Sequence, residues 1–116
     1  MRTIIAGSRG ITDYAEVCRA VRDSGIHITT VVSGGARGVD RLGERYAREH
    51  GIPLEVYRAD WERDGKTAGY LRNDVMAYVS DALIALWDGQ SRGTKHMVDI
   101  SKRKGLCVYV HRAQRI

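Results

Sequence analysis

"VVSGGARGVD", residues 31–40, joins two β-branched residues and a serine to three glycines, an arginine and an aspartate. A plain turn needs one or two such residues, whereas a backbone that lets another group come close uses several glycines. The stretch reads as a strand end, a glycine loop and a helix start. The fold depends on whether that sequence of signals recurs along the chain.

It does recur. Residues 3–6, 29–33, 54–57, 82–87 and 106–110 read as short buried strands. Between them, apolar residues return at helical spacing. Tyr14, Val17, Cys18 and Val21 form one such set, stopped by Ser24-Gly25. Val39, Leu42, Tyr46, Ala47 and His50 form the second, closed by Gly51. Leu71, Val75, Tyr78 and Val79 mark a third helix, and Met97, Ile100 and Ser101 a fourth that Gly105 ends. Helix passes through glycine into strand at "SGIHI", "HGIPLEVY" and "KGLCVYV", as a left-handed helix cap requires. Strands alternating with helices give an α/β class, a parallel sheet with helices on both faces. With right-handed crossovers, the expected architecture is a single Rossmann-like, three-layer domain over residues 1–116, its five strands in the order 3-2-1-4-5.

Length and composition agree with one domain. A chain of 116 residues holds one core. No apolar run reaches membrane-spanning length, and the first residues lack the apolar stretch of a signal peptide, so a cytoplasmic location is expected. Cys18 and Cys107 have no companion ligands nearby and read as two buried free thiols. His27, His50, His96 and His111 are scattered, and no metal site is expected. Only residues 111–116 resemble a disordered tail. The net charge of +5 favours anionic partners: nucleotides, phosphorylated metabolites or nucleic acid. A merely basic surface has the same balance.

In a sheet of this kind ligands bind beyond the carboxyl ends of the strands. The unusual residues fall there. Gly7, Ser8, Arg9 and Gly10 follow the first strand, and residues 33–40 follow the second. The third is followed by the eleven-residue "RADWERDGKTA", and the fourth by "DGQSRGTK". Helix-to-strand links are short and ordinary. Open amides at a helix start favour phosphate or carboxylate. Ser8, Ser33, Ser91 and Thr94 can add hydroxyl hydrogen bonds, and Arg9, Arg37 and Arg92 can fork onto phosphate oxygens. Trp61 can stack on a base or cap the core edge, and Lys66 can meet a phosphate. Arg72 and Asn73 open the third helix, facing the crevice or the surface. A structural turn competes with ligand contact at any single glycine. There is no Lys-Ser/Thr ending of a Walker loop, which disfavours an ATPase of that class.

"GSRGITDY", "VVSGGARGVDRLGERYA", "ADWERDGKTAGYLRND" and "LWDGQSRGTKHMVDISKRKG" together resemble the SLOG superfamily, in its small YspA-like or cpYpsA-related branch, often met in phages and bacteria. The resemblance spans about residues 3–110. It implies a Rossmann-like domain that binds a nucleotide or nucleotide-derived ligand. The binding loops then fall on Gly7, Ser8 and Arg9; on Gly34, Gly35, Arg37, Gly38 and Asp40; on Arg72 and Asn73; and on Gly89, Ser91, Gly93 and Thr94. It implies phosphate contacts from the glycine loops and a ribose or base contact from Asp40. Superfamily members commonly dimerise, so the resemblance leaves a homo-oligomer open without fixing the oligomeric state.

Two relatives give the alternatives. LOG-type phosphoribohydrolases cleave the N-glycosidic bond of nucleoside monophosphates, with a helical glutamate after the fourth-strand signature. Here Met97 stands in the glutamate's place, and their Arg-Lys pair reads Arg72-Asn73. For such chemistry Asp40 is the first candidate acid and Asp88 the second, although Asp40 can equally cap its helix. DprA, which binds single-stranded DNA, has similar "GSR" and "SGGARGVD" loops. The ranking is nucleotide binding first, hydrolysis second and DNA binding third. No cofactor is required, and AMP, cyclic nucleotides, NAD and ADP-ribose are the ligands to try.

Overall fold

The structure, a computed structural model, describes residues 1–113. Five parallel strands form one sheet in the order β3-β2-β1-β4-β5: β1 Arg2–Gly7, β2 Thr30–Ser33, β3 Leu54–Val56, β4 Ala82–Trp87 and β5 Cys107–Arg112. Helices α1 (Tyr14–Ser24) and α2 (Val39–Glu49) cover one face. Helices α4 (Ala68–Val79) and α5 (Arg92–Arg103) cover the other. The expected Rossmann-like sheet and strand order are what the chain adopts.

Alternation along the central strands divides the core. Ile4 and Ala6 of β1, with Leu83 and Ala85 of β4, point to α4 and α5 and meet Met76, Met97 and Val98. Ile5, Ile84 and Leu86 point to α1 and α2 and meet Val17, Ala20 and Val39. Each large apolar side chain removed from water contributes about 1.5–3 kcal/mol. Helix α1 begins at Asp13, whose carboxylate accepts from the Ala15 amide, and ends at Gly25 in the left-handed region (φ 68°).

Several expectations are corrected. The third connection is not one open loop. It contains α3 (Trp61–Asp64), capped by Asp60, and a 3₁₀ turn at Gly65–Thr67. Helix α4 therefore starts at Ala68, and Arg72 and Asn73 lie in its second turn rather than at its opening. Its stripe of Leu71, Val75 and Tyr78 faces outward, with Tyr78 81% exposed, because small or polar residues such as Ala68, Asn73 and Ala77 take the inward positions. Cys18 is half-buried and Cys107, the first residue of edge strand β5, is exposed, so the thiols are not buried. Within the expected tail, His111 and Arg112 belong to β5, paired with Leu86 and Trp87. His111 Nε2 also lies 2.5 Å from Glu16 Oε2. The rest of that expectation, residues 114–116, lies outside the described residues. No helix among the described residues is long and apolar enough to cross a membrane.

Candidate functional site

A cavity of about 580 Å³ opens at the carboxyl ends of the strands, between the loops after β1 and β4 and the start of α4. That volume falls in the range of small-molecule sites. The switch in strand order places it there, since β1 and β4 send their chains to opposite faces.

The loop after β1 supplies the first wall. Gly7 is packed against the Leu86 carbonyl, where a Cβ has no room. Ser8 is buried; its amide donates to that carbonyl (3.0 Å) and its Oγ accepts from the Asp88 amide (3.2 Å). Ser8 thus joins the β1 and β4 loops at the wall of the cavity. Arg9 and Gly10 complete this wall.

The opening glycine stretch lies mostly against the protein's own groups. Of residues 33–40, only Ala36 and Asp40 line the cavity. Gly34 makes room for the protein's own groups: a Cβ there falls 2.7 Å from Arg72 Nη1 and 2.8 Å from Asp40 Oδ2. Gly38, at φ 76°, lies against Ser8 and Arg9, so the two loops touch backbone to backbone. The Arg58 guanidinium covers Gly35. Ser33 is buried under the loop, donating to Glu44 Oε2 (2.7 Å) and accepting from the Gly35 amide (3.1 Å). Arg37 is exposed and outside the cavity.

Asp40 and Arg72 face each other across Gly34. Asp40 is 5% exposed, and its Oδ2 accepts from the Ala36 amide (3.1 Å). Its Oδ1 has no partner among the described residues. Burial pushes its carboxyl up to about 6, with Glu44 adding to the rise while the Ala36 amide, Arg72 and Arg9 oppose it. Arg72 donates from Nη1 to the Gly34 carbonyl (2.6 Å) and from Nε to Asn73 Oδ1 (3.1 Å). Its Nη2 has no partner among the described residues. Burial pulls the guanidinium downward from its ordinary value, and Asp40 opposes that.

The loop after β4 is held largely by itself. Asp88 Oδ1 accepts the amides of Gln90 and Ser91, both at 2.8 Å. Ser91 caps α5, accepting from the Thr94 amide (3.4 Å) and hydroxyl (3.0 Å), and Trp87 Nε1 donates to the Ser91 carbonyl (3.1 Å). Asp88, Ser91, Gly93 and Thr94 line the cavity, while Gly89 and Arg92 do not. Arg112 covers Gly89 and lies 5.6 Å from the Trp87 ring. Trp61, 53% exposed, stands at the mouth with Lys66 and Tyr70.

Sequence reasoning missed Ala6, Ala36, Gly69, Tyr70, Met76 and Gln90 as lining residues, and Glu44, Arg58 and Arg112 as supports. Only Glu44 carried a usable signal, one helical turn beyond Asp40. Met97 lines the floor at 1% exposure, so the position of the LOG-type glutamate lies in the cavity and carries a thioether. Among the described residues no group of three or more His, Cys, Asp or Glu side chains could hold a metal ion.

The model of the YspA, cpYpsA-related SLOG family matches residues 1–63, which carry β1, β2 and both of their loops. The Gene 61 protein of Mycobacterium phage D29 is 38% identical over 117 residues, covering 92% of this chain and 93% of that protein. No solved structure matches. With its sheet order, glycine loops and family match in agreement, the chain belongs to the YspA, cpYpsA-related SLOG family.

Proposed function

We propose that the chain binds a nucleotide or nucleotide-derived ligand at the carboxyl edge of its sheet, as a sensing, sequestering or processing module. The observation that carries this reading is the pair Asp40 and Arg72. A buried carboxylate and a half-buried guanidinium line one cavity, and among the described residues Asp40 Oδ1 and Arg72 Nη2 have no partner. A ribose hydroxyl donating to Asp40 next to a phosphate accepting from Arg72 satisfies both. Ser8, Arg9 and Lys66 add donors for phosphate, and Trp61 and Tyr70 offer faces for a base. SLOG membership supports the same ligand class. Titrating AMP, cyclic AMP, NAD and ADP-ribose by calorimetry tests the reading, and absence of heat from all of them at millimolar concentration overturns it.

One observation favours a second reading, N-glycosidic hydrolysis. A carboxyl that takes up its proton near pH 6 at the cavity wall is suited to protonating a leaving base. Met97 weighs against it, because it supplies no second carboxylate for an oxocarbenium-like transition state. Release of free base from AMP that disappears in Asp40→Ala supports hydrolysis, and release that survives the change rejects Asp40 as the acid. Single-stranded DNA binding ranks third. It predicts a mobility shift that weakens steeply with salt.

A further inference from the structure

Arg72 is held by a chain of hydrogen bonds that runs out of the cavity to a histidine. Arg72 Nε donates to Asn73 Oδ1 at 3.1 Å. Asn73 Nδ2 lies 3.3 Å from the Gly93 carbonyl and 3.2 Å from His96 Nδ1. Asn73 is 6% exposed, so its carboxamide must find its partners here.

A carboxamide can be turned over, exchanging oxygen for nitrogen. Two neighbours admit only one orientation. The Arg72 Nε–H can only donate, and the Gly93 carbonyl can only accept. Turned over, Asn73 sets donor against donor and acceptor against acceptor. Its NH2 therefore faces His96, and His96 Nδ1 must offer a lone pair, with the ring proton on Nε2. An imidazolium carries a proton on both nitrogens and cannot accept that bond.

We propose that Asn73 and His96 are positioning residues for Arg72: neutral His96 fixes the Asn73 carboxamide, which aims the guanidinium at the cavity, and protonation of His96 releases it. His96 does not line the cavity, so it acts through Asn73. The charged and titratable groups around its ring are Tyr70 (ring centroids 4.5 Å apart) and Asp74 of α4, with Asp99 and Arg103 of α5. Burial, then Arg103, holds the imidazole below its ordinary value, and the two aspartates oppose this. The lock is thus closed at neutral pH and opens under mild acid. Release leaves Arg72 with its single bond to the Gly34 carbonyl. The consequence for ligand rests on the nucleotide reading; the lock itself does not.

The test is a pH titration of the ligand-free, isotope-labelled chain, read at the histidine ring nitrogens and the arginine Nε–H groups. Expected are an unprotonated Nδ1 and protonated Nε2 on His96 at about pH 8, and an Arg72 Nε–H resonance that moves with the His96 midpoint. Asp40 titrates in the same region, so the measurement is repeated in two variants. In Asp40→Asn the Arg72 response persists. In His96→Gln, whose carboxamide oxygen still accepts from Asn73, the histidine-linked response is lost. Binding of NAD, whose diphosphate charges stay constant, weakens at least about threefold more in wild type than in His96→Gln between about pH 7.5 and 5.5. A protonated Nδ1 at about pH 8, or an Arg72 resonance indifferent to the His96 midpoint, overturns the lock. Equal pH dependence in wild type and His96→Gln overturns its role in binding. Resonances that behave as expected, with no binding of AMP, cyclic AMP, NAD or ADP-ribose at any pH, leave the lock standing and remove the nucleotide reading.

Discussion

Arg72 Nη1 donates to the Gly34 carbonyl oxygen at 2.6 Å, joining two segments 38 residues apart. The bond spends one guanidinium nitrogen on the glycine loop and leaves Nη2 beside the cavity. The bond therefore ties the glycine loop to helix α4 at the wall of the cavity.

Arg72→Lys should weaken ligand binding by roughly tenfold to a hundredfold, the worth of about 1.5–3 kcal/mol for bonds to a charged group. A lysine cannot hold the Gly34 carbonyl, the Asn73 oxygen and a phosphate in one plane. Calorimetric titration with whichever nucleotide binds wild type measures the loss. Unchanged affinity would falsify the phosphate role of Arg72.

Asp40→Asn should stabilise the fold at about pH 8 while removing ligand binding. The Asp40 carboxyl is raised from 3.8 to about 6. Below 3.8 folded and unfolded chains both hold the proton; between 3.8 and about 6 only the folded chain does, so stability falls as pH rises through that window. Above it the cost of the buried charge is present in full, about 1–3 kcal/mol. Urea unfolding of both proteins at several pH values checks the sign: the advantage of Asp40→Asn shrinks as the solution is acidified.

Two glycines of the candidate loops should respond in opposite directions. Gly34→Ala drives a methyl group into Arg72 and Asp40 and should cost about 1–3 kcal/mol. Gly93, in the first turn of α5, has nothing within 4 Å of its Cβ position. Gly93→Ala should therefore be neutral or stabilise by up to about 1 kcal/mol through helix propensity. Thermal unfolding of the two variants separates glycine used for close packing from glycine in open space.

Trp61→Ala should leave stability nearly unchanged, since the indole is 53% exposed, and should weaken a base-containing ligand. Loss of a stacking face costs about 1–3 kcal/mol per base. Comparing AMP with ribose 5-phosphate in wild type and variant isolates the base contribution; an equal loss for both ligands rejects stacking.

The sheet was legible because β1 and β4 carry unbroken apolar runs buried on both faces, and because glycine ends the helices between strands. The cavity wall after β1 was legible for the same reason. How residues 33–40 pack was not. Glycines that admit a ligand and glycines that admit Arg72, Arg58 or a neighbouring loop look alike in sequence, because the occupying groups lie 20 or more residues away and are found only by folding. Helix α4 misled for a different reason. Its apolar stripe of Leu71, Val75 and Tyr78 has the period of a buried face, while burial falls on Asn73, Met76 and Ala77. His96 was passed over as a scattered histidine, since its partner Asn73 is 23 residues distant.

The most direct measurement is residue-level nuclear magnetic resonance of the labelled chain titrated with AMP, cyclic AMP, NAD and ADP-ribose. Saturable shifts at Ser8, Arg9, Ala36, Asp40, Gly93 and Thr94, with little change at the outward face of α4, are the expected result. Shifts confined to other surfaces, or none with any ligand at millimolar concentration, contradict a nucleotide site in this cavity.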